Sequence, residues 1–186
     1  MARGHAGGGL RREALRTGDG EAVRLYVAAC AERAAPLFIG LRAGMPGRAA
    51  DLDLCVESVR DLWFADRALP DAAERVRALE GFPELRPCEE GITDVAGTYA
   101  FFGVLVLRHA LRANASADAD HALSCGHAAL TAMDLLDRNL FGGAAFRAEE
   151  EALQARSLSG DAAGLWEASV ASGRERLRAV LGCLPR

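Results

Sequence analysis

His121, Cys125 and His127 fall within one short stretch, "DHALSCGHAALTAMDLLD" (120–137). Imidazoles beside a thiol are the side chains that hold zinc or copper. Each helical residue turns the chain by about 100°, so His121 and Cys125 lie roughly 40° apart and face the same way. His127 lies roughly 120° from His121 and roughly 160° from Cys125 on the same count. One metal therefore draws two ligands at most from this helix, whereas catalytic zinc takes three protein ligands and structural zinc usually four. His109 and Cys88 are the residues elsewhere that such a site would have to recruit. Ala128, Ala132, Leu135 and Leu136 flank the His121–Cys125 side. The stretch reads as the edge of a buried helix face, and neither a metal nor another cofactor is expected.

Carboxylates are the next source of chemistry. "AEEEAL" places Glu149, Glu150 and Glu151 in a row, and Glu89 and Glu90 stand before Asp94. Adjacent helical positions diverge by about 100°, so the three glutamates form no acid pair on one face. Acids at a helix start favour the positive end of its dipole, which predicts a solvated first turn. As a functional alternative, Glu149, Glu150, Glu151, Glu89 and Glu90 would form an acidic surface facing a protein partner. Asp51/Asp53 and Asp118/Asp120 are explained by helix capping.

Other mechanisms lack their parts. All 22 basic residues are arginine. A chain without lysine has no Schiff-base lysine, Walker phosphate loop or serine–lysine dyad. Neither G-x-S-x-G nor H-E-x-x-H occurs. "GHAGGGL" is glycine-rich but follows no strand, so it is a poor phosphate loop. A net charge of −4 and a pI near 5.6 argue against nucleic acid as the partner. The five cysteines are odd in number and widely spaced, which reads as reduced, mostly buried thiols. The N-terminal 20 residues contain no continuous apolar run, so no secretion signal is expected. The most apolar run, "VAGTYAFFGVLVL" (95–107), falls short of the roughly 20 residues of a membrane span. A cytoplasmic protein is expected.

The elements that would position these residues are all helical. Val23, Val27, Cys30, Ala34 and Phe38 recur at helical steps after a potential Asp19 cap, with Pro36 expected to kink or divide the helix. Leu52, Val56, Val59 and Trp63 form a second stripe, and "PDAAERVRALEGF" a short helix. Thr93 or Asp94 caps a helix over about 94–113 that is apolar on nearly every side and belongs in the middle of a bundle. Ser116 is placed to cap the helix over about 117–139, and two more helices follow "NLFGGAAF". No stretch alternates with period two. These patterns predict an all-α, single-domain bundle of about six to eight helices over 19–186, behind a disordered Gly/Arg-rich segment at 1–18.

"RLYVAACAERAAPLFIGL" (24–41) and "LCVESVRDLW" (54–63) resemble the first two helices of the YjaG-like bacterial family of unknown function. "PELRPCEEGITDVAGTYA" (83–100) stands where that family has a proline-rich connection and an apolar central helix. The resemblance covers the layout of about 21–138 and implies an all-helical bundle without assigning any catalytic residue. Small helical proteins of this kind resemble immunity or accessory partners encoded beside toxins. The expectation is a non-enzymatic protein that binds a protein partner, with no membrane or nucleic-acid contact and with self-association compatible. The alternative is a small enzyme or small-molecule-binding protein, with a pocket inside the bundle around the 94–113 helix, His121 and Cys125.

Overall fold

The computed structural model describes residues 9, 13–18, 20–86, 94–116, 118–140, 145–159 and 162–184, with backbone only at Ala163. Besides a short helical stretch at 13–17, they form the α-helices α1 (Gly20–Arg42), α2 (Ala49–Phe64), α3 (Ala72–Glu80), α4 (Val95–Ser116), α5 (Ala119–Asn139), α6 (Phe146–Ser157) and α7 (Ala162–Cys183). A 3-10 turn, Pro83–Leu85, follows α3, and the described residues contain no strand. The all-α bundle read from periodicity is the fold. None of these helices is long and apolar enough to cross a membrane.

α1 and α4 pack along each other at the centre, and α2, α5, α6 and α7 also touch α1. Gly103 lets the central pair approach closely. A Cβ there would lie 3.0 Å from the Phe38 backbone nitrogen and 3.1 Å from the Ala34 carbonyl oxygen. That glycine therefore closes space and opens no pocket. The central position of α4 agrees with its all-round apolar sequence. The equal share of α1 does not show in hydropathy, because α1 buries Arg33 among its alanines.

Pro36 does not divide α1, which runs unbroken from Gly20 to Arg42. Proline removes the donor that the Glu32 carbonyl would otherwise receive. α7 crosses at that point through Gly173, where a Cβ would lie 3.0 Å from both the Glu32 oxygen and Pro36 Cγ. Asp94 caps the start of α4 by accepting from the Gly97 N–H at 2.6 Å. Ser116 is the last residue of α4 and not the cap of α5. Asp118 takes that role, accepting from the Asp120 N–H at 2.8 Å. Residues 13–17 are helical and Leu15 is buried, so the folded domain begins before residue 19. A short apolar anchor inside a polar stretch is enough to dock a turn. The Asp19 and Thr93 caps lie outside the described residues.

A clamp of charge ties the 3-10 turn to the bundle. Glu84 accepts from Arg42 Nε at 2.7 Å and from Arg48 Nη2 at 2.7 Å, while the Arg48 guanidinium covers the Phe38 and Phe82 rings. Burial raises the Glu84 pKa, but the two arginines outweigh it and hold the carboxyl at about 2.

Candidate functional site

The acidic run of α6 is split by the helix itself. Phe146, Glu150, Gln154 and Ser157 are its buried positions, spaced 4, 4 and 3 residues apart along one face. Glu150 is fully buried, which corrects its expected place on a solvated acidic surface. The reason is helical phase: Glu149 and Glu151 turn away from the core and Glu150 turns into it. Glu151 is about half-exposed and pairs with Arg147 at 3.2 Å, and Arg147 also reaches Asp134 at 3.9 Å. The surface around Glu149 and Glu151 is therefore of mixed charge. Glu89 and Glu90 lie outside the described residues.

Glu150 is the centre of a polar cluster in the core. Arg33 from α1 forks onto it, donating from Nε to Oε2 at 2.7 Å and from Nη2 to Oε1 at 2.8 Å. Arg33 Nη1 also donates to Ser169 Oγ of α7 at 3.1 Å. Arg176 of α7 sets Nη2 2.7 Å from Glu150 Oε2, out of hydrogen-bond alignment, so it acts through charge. Gln154 donates from Nε2 to Glu150 Oε1 and to the Gly126 carbonyl, and accepts from the Tyr26 hydroxyl at 2.9 Å. Burial raises the Glu150 pKa; Arg33 and Arg176 outweigh it and hold the carboxyl at about 2. Four helices, α1, α5, α6 and α7, are thus joined by one ion cluster. A fully buried charged group needs such partners, because an isolated charge in the interior is prohibitively costly. The cluster ties α6 and α7 to Arg33 of α1.

The histidines and cysteines do not assemble. His121 and His109 are neighbours across α4 and α5, with ring centroids 6.4 Å apart and planes tilted by 34°. Cys125 turns inward and donates to the Val106 carbonyl at 3.5 Å, while His127 is exposed. Among the described residues no three His, Cys, Asp or Glu side chains converge as metal ligands. Cys88 lies outside those residues. Burial pushes the Cys55 thiol up to about 12 and that of Cys125 well above its ordinary value. Neither is available as a thiolate near neutral pH.

Burial, with Arg108, Arg112 and His121 adding to it, lowers the His109 pKa to about 4. The unfolded chain takes up that proton near pH 6.5 and the folded chain only near pH 4. This contribution to stability is complete above pH 6.5 and is lost as pH falls from 6.5 to 4. A His109→Gln variant is expected to show a flatter fall of melting temperature over that interval. Parallel curves for variant and parent would show that His109 titrates normally.

What the surface does present is an apolar groove. α2 and α7 both lie on α1, and between them Ala35, Pro36, Ile39, Val59, Trp63 and Trp166 line a depression of about 280 Å³. Phe64 stands at its edge with 79% of its surface exposed, beside Val56 at 51% and Trp166 at 48%. α2 is apolar on two sides: Cys55, Val59 and Leu62 face the core, while Val56 and Phe64 face outward. Trp63 is anchored between them by donating from Nε1 to Glu32 at 2.9 Å. Trp63 and Val56 belong to the second apolar stripe that the sequence shows. Periodicity locates an apolar face but does not say whether anything covers it. A second, more polar cleft of about 580 Å³ lies at the start of α1 and the end of α2, lined by Glu21, Arg24, Asp66 and Ser159 among others.

Comparisons with protein-family models, with curated proteins and with solved structures found no match to this chain.

Proposed function

We propose that this chain is a non-enzymatic helical protein, of the immunity or accessory and regulatory type, that acts by binding a protein partner through the α1–α2–α7 face. The observation that carries this reading is the exposed cluster of Phe64, Trp166 and Val56 around an apolar groove. Contiguous exposed apolar surface of this kind marks interaction sites, and aromatic side chains supply most of the energy of such contacts. The described thiols that burial shifts upward and the dispersed histidines give a catalytic reading nothing comparable. The likeness of residues 24–41 and 54–63 to the YjaG-like bundles adds support by analogy alone.

The test compares capture from lysate of the native organism by the parent chain and by a Phe64→Asp/Trp166→Ser variant. Both side chains are exposed, so the melting temperature is expected to hold within a few degrees while the partner is lost from the captured set. An apolar contact also predicts that affinity changes little with salt, unlike steering by an acidic surface. Equal capture by both proteins would reject this face. The second reading, a small-molecule-binding protein or small enzyme, is favoured by the 580 Å³ cleft. It lies at the bundle surface, away from His121 and Cys125, and a co-purifying small molecule lost in Arg24→Ala would support it.

A further inference from the structure

We propose that the cleft where α1 starts and α4 ends binds a small aliphatic amino acid as its zwitterion. The carboxylate meets Arg24 and Asn114, the ammonium meets Asp118, and the side chain lies on the apolar part of the lining. The cleft holds about 480 Å³ and shares no lining residue with the α1–α2–α7 groove, so the inference stands apart from the reading of that face.

The ends of the central helices build the cleft. Gly103 of α4 lies against Ala34 and Phe38 of α1. About three helical turns from that crossing, in opposite directions along the two antiparallel helices, Asn114 and Arg24 arrive at the same cleft. α5 starts there too, and its cap Asp118 joins the lining with Asp120.

Asn114 is the residue that points to a ligand. It is 4% exposed, and its Oδ1 accepts from the Leu69 N–H at 2.7 Å. That bond fixes the amide, because the opposite flip would set donor against donor. Nδ2 is buried and has no partner among the described residues. A buried donor without an acceptor is costly, so an anionic oxygen placed against it gains more than it would at an open surface. Arg24 is partly buried and makes no ion pair or hydrogen bond among the described residues. Its Nη1 lies close to Gly20, at the positive end of the α1 dipole.

The other pole is acidic. Asp118 accepts from the Asp120 N–H through Oδ1, and Asp120 accepts from Arg16 through Oδ1 at 3.3 Å. Arg16 and Asp120 therefore offset each other, which leaves Arg24 and Asp118 as a cation and an anion without ion-pair partners on one cleft. An anion alone would face Asp118 and an amine alone would face Arg24, whereas a zwitterion satisfies both. Leu15, Val23, Ala68, Ala113 and Ala119 supply the apolar lining, which suits a branched aliphatic side chain. An apolar wall with a few placed polar groups is the usual make-up of a small-molecule site.

The experiment is an NMR titration of the full chain with L-leucine and with its two half-ligands, isocaproate, which lacks the ammonium, and isopentylamine, which lacks the carboxylate. The parent is expected to bind leucine saturably and each half-ligand at least roughly tenfold more weakly, since each forfeits a charge-assisted contact. Asp118→Asn keeps the cap acceptor and removes the charge. It is expected to weaken leucine by a similar factor and to bind it no better than isocaproate. Arg24→Gln and Asn114→Asp are also expected to weaken leucine, the latter while keeping the acceptor for Leu69. Should Asn114→Asp fail to fold, the two variants nearer the surface carry the test. Arg24 also lines the 580 Å³ cleft, so Asp66→Asn, which alters that cleft alone, is the control and is expected to leave binding unchanged. A parent that shows no saturable binding up to the solubility limit of leucine overturns the proposal, as does a half-ligand that binds as tightly as leucine. Binding lost in Asp66→Asn but kept in Asp118→Asn puts the ligand in the other cleft and overturns it too. The Phe64→Asp/Trp166→Ser variant is expected to bind leucine as the parent does, so failure of this site and failure of the partner-binding face are read separately.

Discussion

Replacing Glu150 by glutamine is expected to lower the melting temperature by roughly 6–20 °C, whereas Glu149→Gln and Glu151→Gln each leave it nearly unchanged. Glutamine keeps the size of the side chain but turns one acceptor oxygen into a donor among donors, so the charge is lost together with a hydrogen bond. Arg33 and Arg176 are both buried and would face each other with no carboxylate between them. Breaking a buried ion pair by removing one partner costs roughly 3–5 kcal/mol. A domain of this length loses about 2–4 °C per kcal/mol. Because native stability is typically about 5–15 kcal/mol, such a loss threatens folding itself. A variant carrying glutamine at 149, 150 and 151 together therefore cannot serve as a neutral probe of surface charge.

The same carboxylate shapes the acid limb of stability. Its folded pKa of about 2 lies below the ordinary value of 4.5. The stabilisation is thus fully present above pH 4.5 and is lost as pH falls through 2. Glu150→Gln should remove that part of the pH dependence, which thermal melts between pH 2 and 5 would show. A variant as stable as the parent at neutral pH would mean that α6 does not seat Glu150 against the two arginines.

Gly126→Ala is expected to be the most damaging single-methyl change in the bundle core. A Cβ at Gly126 would lie 1.9 Å from the Tyr26 hydroxyl and 2.9 Å from Gln154 Oε1. Tyr26 cannot withdraw without giving up Gln154, to which it donates, and it is fully buried. Overpacking typically costs about 1–3 kcal/mol, and a buried hydrogen bond lost with it adds about 1 kcal/mol. The decisive measurement is a double-mutant cycle with Tyr26→Phe, by chemical denaturation. Tyr26→Phe alone should destabilise, since Gln154 loses its donor, yet in the Gly126→Ala background it removes the clashing oxygen. The double variant should therefore be clearly more stable than the sum of the singles. Additive losses would show that α1 and α5 part to admit the methyl group.

α4 is legible in the sequence because a helix apolar on nearly every side belongs at the centre of a bundle. A cap at Thr93 or Asp94 is legible because a short acceptor before an apolar run has few other roles, and the bond from the Gly97 N–H assigns a cap to Asp94. The spacing likewise sets His127 apart from His121 and Cys125 by helical geometry alone, and in the fold Cys125 is buried while His127 is exposed.

The polar cluster was not legible by hydropathy. α6 buries Phe146, Glu150, Gln154 and Ser157, and Arg33 shares the face of Tyr26 and Cys30. A signal was present: "FRAEEEALQARS" holds too few large apolar residues to bury an apolar stripe, so the helix must be exposed or bury a polar one. Choosing between them needs the partner charges. Arg33 and Arg176 are 117 and 26 residues away from Glu150 and meet it only when α1, α6 and α7 pack. The groove was hidden for the complementary reason. Val56 and Trp63 lie in a periodic apolar stripe whether or not a neighbour covers it, and it is α7, crossing α1 beside Pro36, that leaves Phe64 and Trp166 open to solvent. Local sequence sets which side of a helix is apolar or charged, because side-chain direction follows helical phase. Which side meets another helix is a property of the packed assembly, and only the tertiary structure decides it.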